Sequence, residues 1–286
     1  MCFLLSPLPP DPAMLLRKGK EQILIVADLH IGWEVALAHQ GIHVPSQTPK
    51  MKDKILRLVD RHKPTSLLFL GDVKHTIARV ELEEWKDIPD LFENLGKRVG
   101  DIKVVLGNHD GNLEPLLPPS VEVLPPTGIA LWDAGFLHGN AWPAPELLKC
   151  RSLIIGHVHP TVLFRDPLGF RITAQVWVKA QLNKERLAKA FLKGIGIKVK
   201  SDEDPFELLY QRFNVKFRVS ELFIMPYFND FLGGRPINRR NAERGGKSSG
   251  YIGPILRSGC VDIENAEIYL LDGTFLGTIS QLSVLR

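Results

Sequence analysis

The chain has 286 residues, enough at about 150 residues per domain for one large or two modest domains. Its 44% hydrophobic and 24% charged residues are an ordinary globular composition, which excludes disordered, collagenous and coiled-coil readings, and no stretch reaches the roughly 18 apolar residues of a membrane span. The formal net charge of +4 permits contact with phosphate-bearing ligands without requiring it. Residues 1–10 lack the basic start of a secretory signal and turn Pro-rich at once. Cys2, Cys150 and Cys260 form no Cys-x-x-Cys pair and suit no disulfide framework, so they read as packing residues or inert thiols. A cytoplasmic protein with no membrane partner is expected.

The first informative pattern is Ile23-Leu24-Ile25-Val26-Ala27, an apolar run suited to a strand buried on both faces, which ends in Asp28-Leu29-His30. Over 49–62, Met51, Ile55, Leu58 and Val59 recur at helical spacing, and Pro64 punctuates the end. A second apolar run, 66–70, leads into Gly71-Asp72-Val73-Lys74-His75. A helix around Trp85, Ile88, Leu91, Phe92 and Leu95 then leads to a strand over 102–106 and to Gly107-Asn108-His109-Asp110-Gly111. Residues 130–137 are predicted as a hairpin ending at His138-Gly139-Asn140, and 152–155 as a strand ending at Gly156-His157-Val158-His159.

Beyond these, 183–192 reads as a short basic amphipathic helix, 206–213 as a second helix and 216–225 as a strand. Asp272-Gly273 between apolar-rich arms predicts a hairpin over 266–285 that completes a second sheet. The segment 238–250 carries Arg239, Arg240, Arg244 and Lys247 among Gly and Ser, a basic surface loop that reads either as a flexible clamp on nucleotide phosphate or as a solvated excursion. Strands alternate with helices in the first half, and hairpins dominate from about Ile129 onward.

In open α/β sheets ligands collect beyond the carboxyl ends of the strands, and five polar clusters fall there. Asp28, His30, Asp72, Asn108, His138, His157 and His159 together offer carboxylate, amide oxygen and imidazole without thiolate. That donor set suits manganese, iron, zinc or another first-row divalent ion rather than a structural zinc site. Seven ligands are too many for one ion. With one shared carboxylate they supply four bonds to each of two ions, the arrangement that clamps a phosphate and activates a water for in-line displacement.

The ordered series Asp-x-His, Gly-Asp, Gly-Asn-His-Asp, His-Gly and Gly-His-x-His, from Asp28 to His159, resembles the calcineurin-like metallophosphoesterase superfamily. The resemblance implies a four-layer αββα sandwich of mixed α/β class with two central mixed sheets, a single domain over 1–286. It implies that Asp28, His30, Asp72 and His159 hold one ion, that Asp72, Asn108, His138 and His157 hold the other, and that Asp72 bridges them. Manganese is the expected metal, with iron, zinc, nickel and cobalt as alternatives. His109 would contact the phosphate and assist leaving-group protonation. Asp110 would either orient His109 or another ligand, or serve an ordinary turn or helix cap.

Three residues after Asp72 stands His75, where Ser/Thr protein phosphatases carry an Asp. That departure resembles the phosphodiesterase subunit of double-strand-break repair nucleases and gives His75 a phosphate-contacting role, with a structural His as the alternative. Lys74 is either a cationic neighbour of the phosphate or turned to solvent. Gly-Asp-x-x-His with the late segment Pro226-Tyr227-Phe228-Asn229-Asp230-Phe231-Leu232-Gly233-Gly234 is most similar to the ligase-associated or archaeal nuclease-related metallophosphoesterases. The expected function is phosphodiester hydrolysis on nucleotides or nucleic-acid ends, with a DNA-repair protein as the partner implied by the resemblance. Phosphomonoester or nucleotide pyrophosphate hydrolysis, and a metal-binding partner scaffold without turnover, are the alternatives.

Overall fold

The computed structural model describes residues 3–166, 168–239 and 252–283. Cys2 and the Arg240, Arg244 and Lys247 of the basic loop lie outside the described residues. Two compact units divide the chain: Met1–Pro126 with Tyr227–Gly233, and Thr127–Pro226 with Gly234–Arg286.

The first unit opens with strands β1 (Leu4–Leu8), β2 (Asp11–Lys18) and β3 (Glu21–Val26). Helices α1 (Trp33–Ala38) and α2 (Thr48–His62) precede β4 (Ser66–Leu70), and α3 (Leu82–Gly96) precedes β5 (Asp101–Val105) and β6 (Val121–Leu124). Among the described residues these strands form a six-stranded sheet in chain order. The β1–β2 and β2–β3 pairs are antiparallel, and β3, β4, β5 and β6 run parallel. Met51, Ile55, Leu58 and Val59 are the buried stripe of α2, as their spacing predicts. Phe69 of β4 and Phe92 of α3 meet with ring centroids 4.9 Å apart. Truncating either to Ala is expected to cost roughly 3–5 kcal/mol.

The hairpin of β1 and β2 was not expected, because Pro7, Pro9, Pro10 and Pro12 break the alternation that signals strands. Pro7 stands in β1 at the sheet edge, Pro9 and Pro10 make the turn, and Pro12 precedes Ala13, where the pairing of β2 with β3 begins.

The second unit contains β7 (Ile129–Leu131), β8 (Ala134–Leu137), β9 (Ser152–Ile155), β10 (Pro160–Arg165) and the long β11 (Arg171–Gln181). Helices α4 (Lys184–Gly194) and α5 (Pro205–Phe213) lead to β12 (Glu221–Ile224) and β13 (Arg235–Pro236). A short α6 (Pro254–Arg257), β14 (Glu267–Leu270), β15 (Phe275–Thr278) and α7 (Ile279–Leu282) complete the unit. Its sheet runs β13-β10-β11-β12-β9-β8-β7, and β14 joins β11 to β15. β8, β9 and β12 are parallel while β7, β11 and β14 pair antiparallel, so this sheet too is mixed. Two mixed sheets with helices give the mixed α/β class expected.

Two boundaries differ from expectation. The strand expected over 216–225 is confined to Glu221–Ile224. Before it, Arg218 and Ser220 donate their backbone N–H to the carbonyls of Leu148 and Arg151, so these groups are bonded outside the β9–β12 ladder. The Asp272-Gly273 turn forms, but its second arm stops at Thr278, whose hydroxyl accepts from Gln281 N and caps α7.

Cys150 and Cys260 are buried, and desolvation pushes the Cys150 thiol to about 11 and raises that of Cys260 as well. In Cys2→Ser protein at pH 8, a disulfide reagent should therefore react with neither thiol until denaturant is added, and then with both. Rapid reaction of the folded protein would contradict this packing.

Candidate metal centre

The first unit places its candidate residues beyond the carboxyl ends of three adjacent parallel strands. Asp28 and His30 follow β3, Asp72 and His75 follow β4, and Asn108, His109 and Asp110 follow β5. The pairing of β3 with β4 continues into these loops: His30 N donates to Asp72 O at 2.8 Å, Ile31 N to Val73 O at 2.9 Å and His75 N to Ile31 O at 2.8 Å. The loops are thus extensions of the sheet, which fixes the side chains they carry.

Asp28, His30 and Asp72 have φ of 58°, 45° and 49°, in the left-handed region that non-glycine residues seldom adopt. Backbone strain of this kind persists where the surroundings over-determine it, and it concentrates at functional sites. Asp28, His30 and Asp72 are at most 2% exposed, whereas Asn108 is exposed. Burying two carboxylates is costly unless cations or hydrogen bonds compensate them.

Asp72 is the hub. Its Oδ1 accepts from His109 N at 2.8 Å, its Oδ2 lies 3.4 Å from His30 Nε2 and 4.0 Å from His109 Nε2. His30, His75 and His109 each offer a ring nitrogen within 4.8 Å of the others, and the His30 and His75 Nδ1 atoms are 3.2 Å apart. His109 directs Nδ1 to the His75 carbonyl, which leaves Nε2 as the atom facing Asp72. Buried oxygen and imidazole donors without thiolate fit a borderline-hard divalent metal.

Asp110 works on the backbone of these loops. Its Oδ1 accepts from Val73 N at 2.8 Å and Lys74 N at 3.2 Å, and its Oδ2 from Gly107 N at 2.8 Å. Lys74 is neither beside solvent nor presented to a phosphate: it is fully buried and its Nζ donates to the carbonyls of Thr76 and Arg79. Burial pulls its pKa down, while Glu84, Asp110 and Asp72 draw it up.

Two supporting residues were not found by sequence reasoning. Glu84, fully buried on α3, accepts from His75 N at 3.1 Å and Thr76 N at 2.8 Å through Oε1, and from Glu81 N at 2.9 Å through Oε2. Asn229, also fully buried, donates Nδ2 to Leu29 O at 3.1 Å, between Asp28 and His30. Glu84 had a signal, since Glu81-x-x-Glu84 forms a capping box at the start of α3. The late segment pointed to a family but not to the turn that Asn229 braces.

In the second unit His138 follows β8, and His157 and His159 follow the neighbouring parallel β9. The His138 and His157 rings meet edge to face with centroids 4.9 Å apart. His157 and His159 have φ of 66° and 48°. Gly253 packs so tightly under this turn that a Cβ would stand 2.3 Å from the Gly139 carbonyl oxygen. The predicted ligands are therefore divided, with Asp28, His30, Asp72 and Asn108 in the first unit and the three histidines in the second.

Among curated proteins no relative matches the chain in sequence. A nuclease MPE from Pseudomonas putida is similar in structure, with a TM-score of 0.50 at 17% identity over 95% of this chain and 98% of that one. YfcE, a phosphoesterase from E. coli, matches 50% of this chain and 73% of its own at 19% identity, with a TM-score of 0.33. The first likeness concerns the fold. The family model described as calcineurin-like phosphoesterase matches residues 22–189, more than half of the chain. The chain belongs to the calcineurin-like phosphoesterase family, whose members hydrolyse phosphoester bonds with divalent metals.

Proposed function

We propose that this phosphoesterase is a phosphodiesterase acting on nucleotides or nucleic-acid ends through a two-metal centre. One arrangement carries the reading: Asp28, His30, Asp72, His75, Asn108 and His109 stand together beyond three adjacent parallel strands in a chain of this family. Asp28, His30, Asp72 and His159 would hold one ion and Asp72, Asn108, His138 and His157 the other, with manganese first among the candidates. The two units then act as one metallophosphoesterase domain over 1–286. That the Pseudomonas putida neighbour is a nuclease supports a nucleic-acid substrate.

Two divalent ions bound there supply charge neutralisation and an activated water nucleophile. The chain supplies the proton. With Nδ1 held by the His75 carbonyl, the His109 ring can exchange a proton only at Nε2, the atom facing Asp72. A ribose alkoxide is a poor leaving group, so a proton delivered there has a large effect. His75 lies beside His30 and His109, with ring centroids 5.3 and 5.4 Å away, and would contact a phosphate oxygen there. Asp110 holds the loops rather than transferring protons.

Anomalous scattering after manganese loading should show two adjacent ions sharing Asp72. A single ion held by His30, His75 and His109 would overturn the assignment. Asp72→Asn should weaken both sites and nearly abolish turnover.

His109→Ala should keep both metals and slow hydrolysis by about 10²- to 10⁴-fold. The loss should shrink on nitrophenyl esters, whose leaving group departs without a proton. Equal losses on nitrophenyl and nucleotide diesters would show that His109 only positions the phosphate.

A diester carries one negative charge and needs less compensation than a dianionic monoester. With Lys74 buried under its own loop, the core motifs leave the imidazoles of His75 and His109 beside the phosphate. The kcat/KM for bis-nitrophenyl phosphate should exceed that for nitrophenyl phosphate with the same metal. A consistent tenfold monoester advantage would make the protein a phosphomonoesterase, and hydrolysis of neither despite two bound ions would make it a scaffold.

A further inference from the structure

A groove of about 330 Å³ opens beside the histidine cluster, and His75 and His109 both line it. That volume is at the low end of the roughly 300–1,000 Å³ of small-molecule pockets, room for one aryl or nucleoside-sized group. Val35 and Ala36 from α1 and Ile77 from the loop after β4 give it apolar walls. Ile77 is 54% exposed, a large aliphatic side chain left in contact with water. Arg79 and Glu81 also line the groove, and Arg79 Nε donates to Glu81 Oε1 at 2.7 Å, so the two charges offset each other. With His39 and Thr76 as its remaining polar lining, the groove offers an uncharged organic group apolar walls beside an offset ion pair.

The wall formed by residues 76–81 is held from beneath. Lys74 Nζ binds the carbonyls of Thr76 and Arg79, and Glu84 binds the amides of His75, Thr76 and Glu81. Two fully buried charged side chains are thus committed to the backbone of one exposed loop. Charged groups are costly to bury, and their effect here is to fix Ile77 and Arg79 relative to His75. A wall fixed in this way discriminates among groups that enter the groove.

We propose that this groove is the pocket for the leaving ester arm, and that Ile77 is its specificity-determining contact. The arm is the one His109 protonates, because His109 is itself part of the groove lining. Hydrolysis breaks the bond between phosphorus and this arm's oxygen, water supplies the new oxygen on phosphorus, and the arm leaves as an alcohol with the proton from His109 Nε2.

The inference rests on the diesterase reading, and the experiment separates the two. Bis-nitrophenyl phosphate and nitrophenyl methyl phosphate share a nitrophenolate leaving arm and differ in the arm that stays. In the manganese-loaded full chain, Ile77→Glu should raise KM by about tenfold on both substrates, the scale of a lost apolar pocket contact, with kcat falling less. Ile77→Leu should keep KM near that of the parent. A KM increase confined to bis-nitrophenyl phosphate would seat the other arm in the groove, and an unchanged KM on both would leave the groove without a role; either overturns the inference. A second readout does not need turnover. Titrating 4-nitrophenol into protein with ¹³C-methyl-labelled isoleucine should move the Ile77 resonance, assigned through Ile77→Val, and an unmoved resonance overturns the inference. A parent chain that hydrolyses neither diester but shows that shift would fail the diesterase reading and keep the groove as an aryl-binding site.

Discussion

The backbone of Gly107 approaches Asp72 so closely that a Cβ there would stand 2.2 Å from the carboxylate Oδ1 and 2.4 Å from the backbone nitrogen. Real Cβ atoms do not come so near, so a side chain would drive the loop after β5 away from the loop after β4. The place of the loop after β5 beside Asp72 follows from this contact. It lets His109 N reach Asp72 Oδ1, brings His109 Nε2 to face Oδ2, and puts Asp110 within reach of Val73 and Lys74. A displacement of about 1 Å is enough to lose much of the rate that orientation provides. The missing side chain at position 107 is thus a condition for the chemistry and not merely for the turn.

Under the same loops lies a framework of buried charge. Lys74, Glu84 and Asp110 are each almost wholly removed from water, and each spends its charge on backbone groups. Such groups are electrostatically strong in a low-dielectric interior, and they are correspondingly harmful when half satisfied. Exchanging Glu84 for an apolar residue would leave the part-buried amides of Thr76 and Glu81 without this acceptor, at less than the roughly 1–3 kcal/mol of a fully buried group for each. Because Glu84 also closes the capping box of α3, one side chain ties the start of a helix to the backbone amide of His75.

The parts legible in the sequence were those whose local pattern and tertiary role coincide. An apolar run followed at once by Asp, Asn or His marks a buried parallel strand and its polar end, and this holds for β3, β4, β5, β8 and β9. Helical spacing identified α2 and α3 because one face of each is buried against the sheet's core. Lys74 and Glu84 were misread or missed because nothing local distinguishes a buried charge from a solvated one. The capping-box spacing marks Glu84's bond to the Glu81 amide, but the bonds of Lys74 and Glu84 to the loop of residues 75–79 leave no trace in side-chain composition. The β1–β2 hairpin escaped notice because prolines are tolerated at an edge strand for reasons of position in the sheet, and that position is not written in the residues themselves.

The brace at Leu29 shows the same limit over a longer range. Phe228 N donates to Ala27 O at 2.9 Å and Asn229 Nδ2 to Leu29 O at 3.1 Å, so both sides of Asp28 are held by residues some 200 positions later in the chain. The Phe228 side chain is buried in the core that β3 and β4 help to form, and Lys54 of α2 lies 4.9 Å from its ring. Closing so long a loop is entropically only slightly dearer than closing a loop half its length, because the cost grows with the logarithm of the separation. The first unit can therefore draw Tyr227–Gly233 from beyond most of the second at little extra expense. A fragment ending at Pro126 would contain Asp28, His30, Asp72 and Asn108 and keep the bonds from Asp28 N to Gly71 O and from His30 N to Asp72 O, yet lack the two that brace the same turn at Ala27 and Leu29. The chain reaches the second unit's histidines before it returns with that brace, so the geometry of the first ligands is completed only after all the predicted ligands have been laid down.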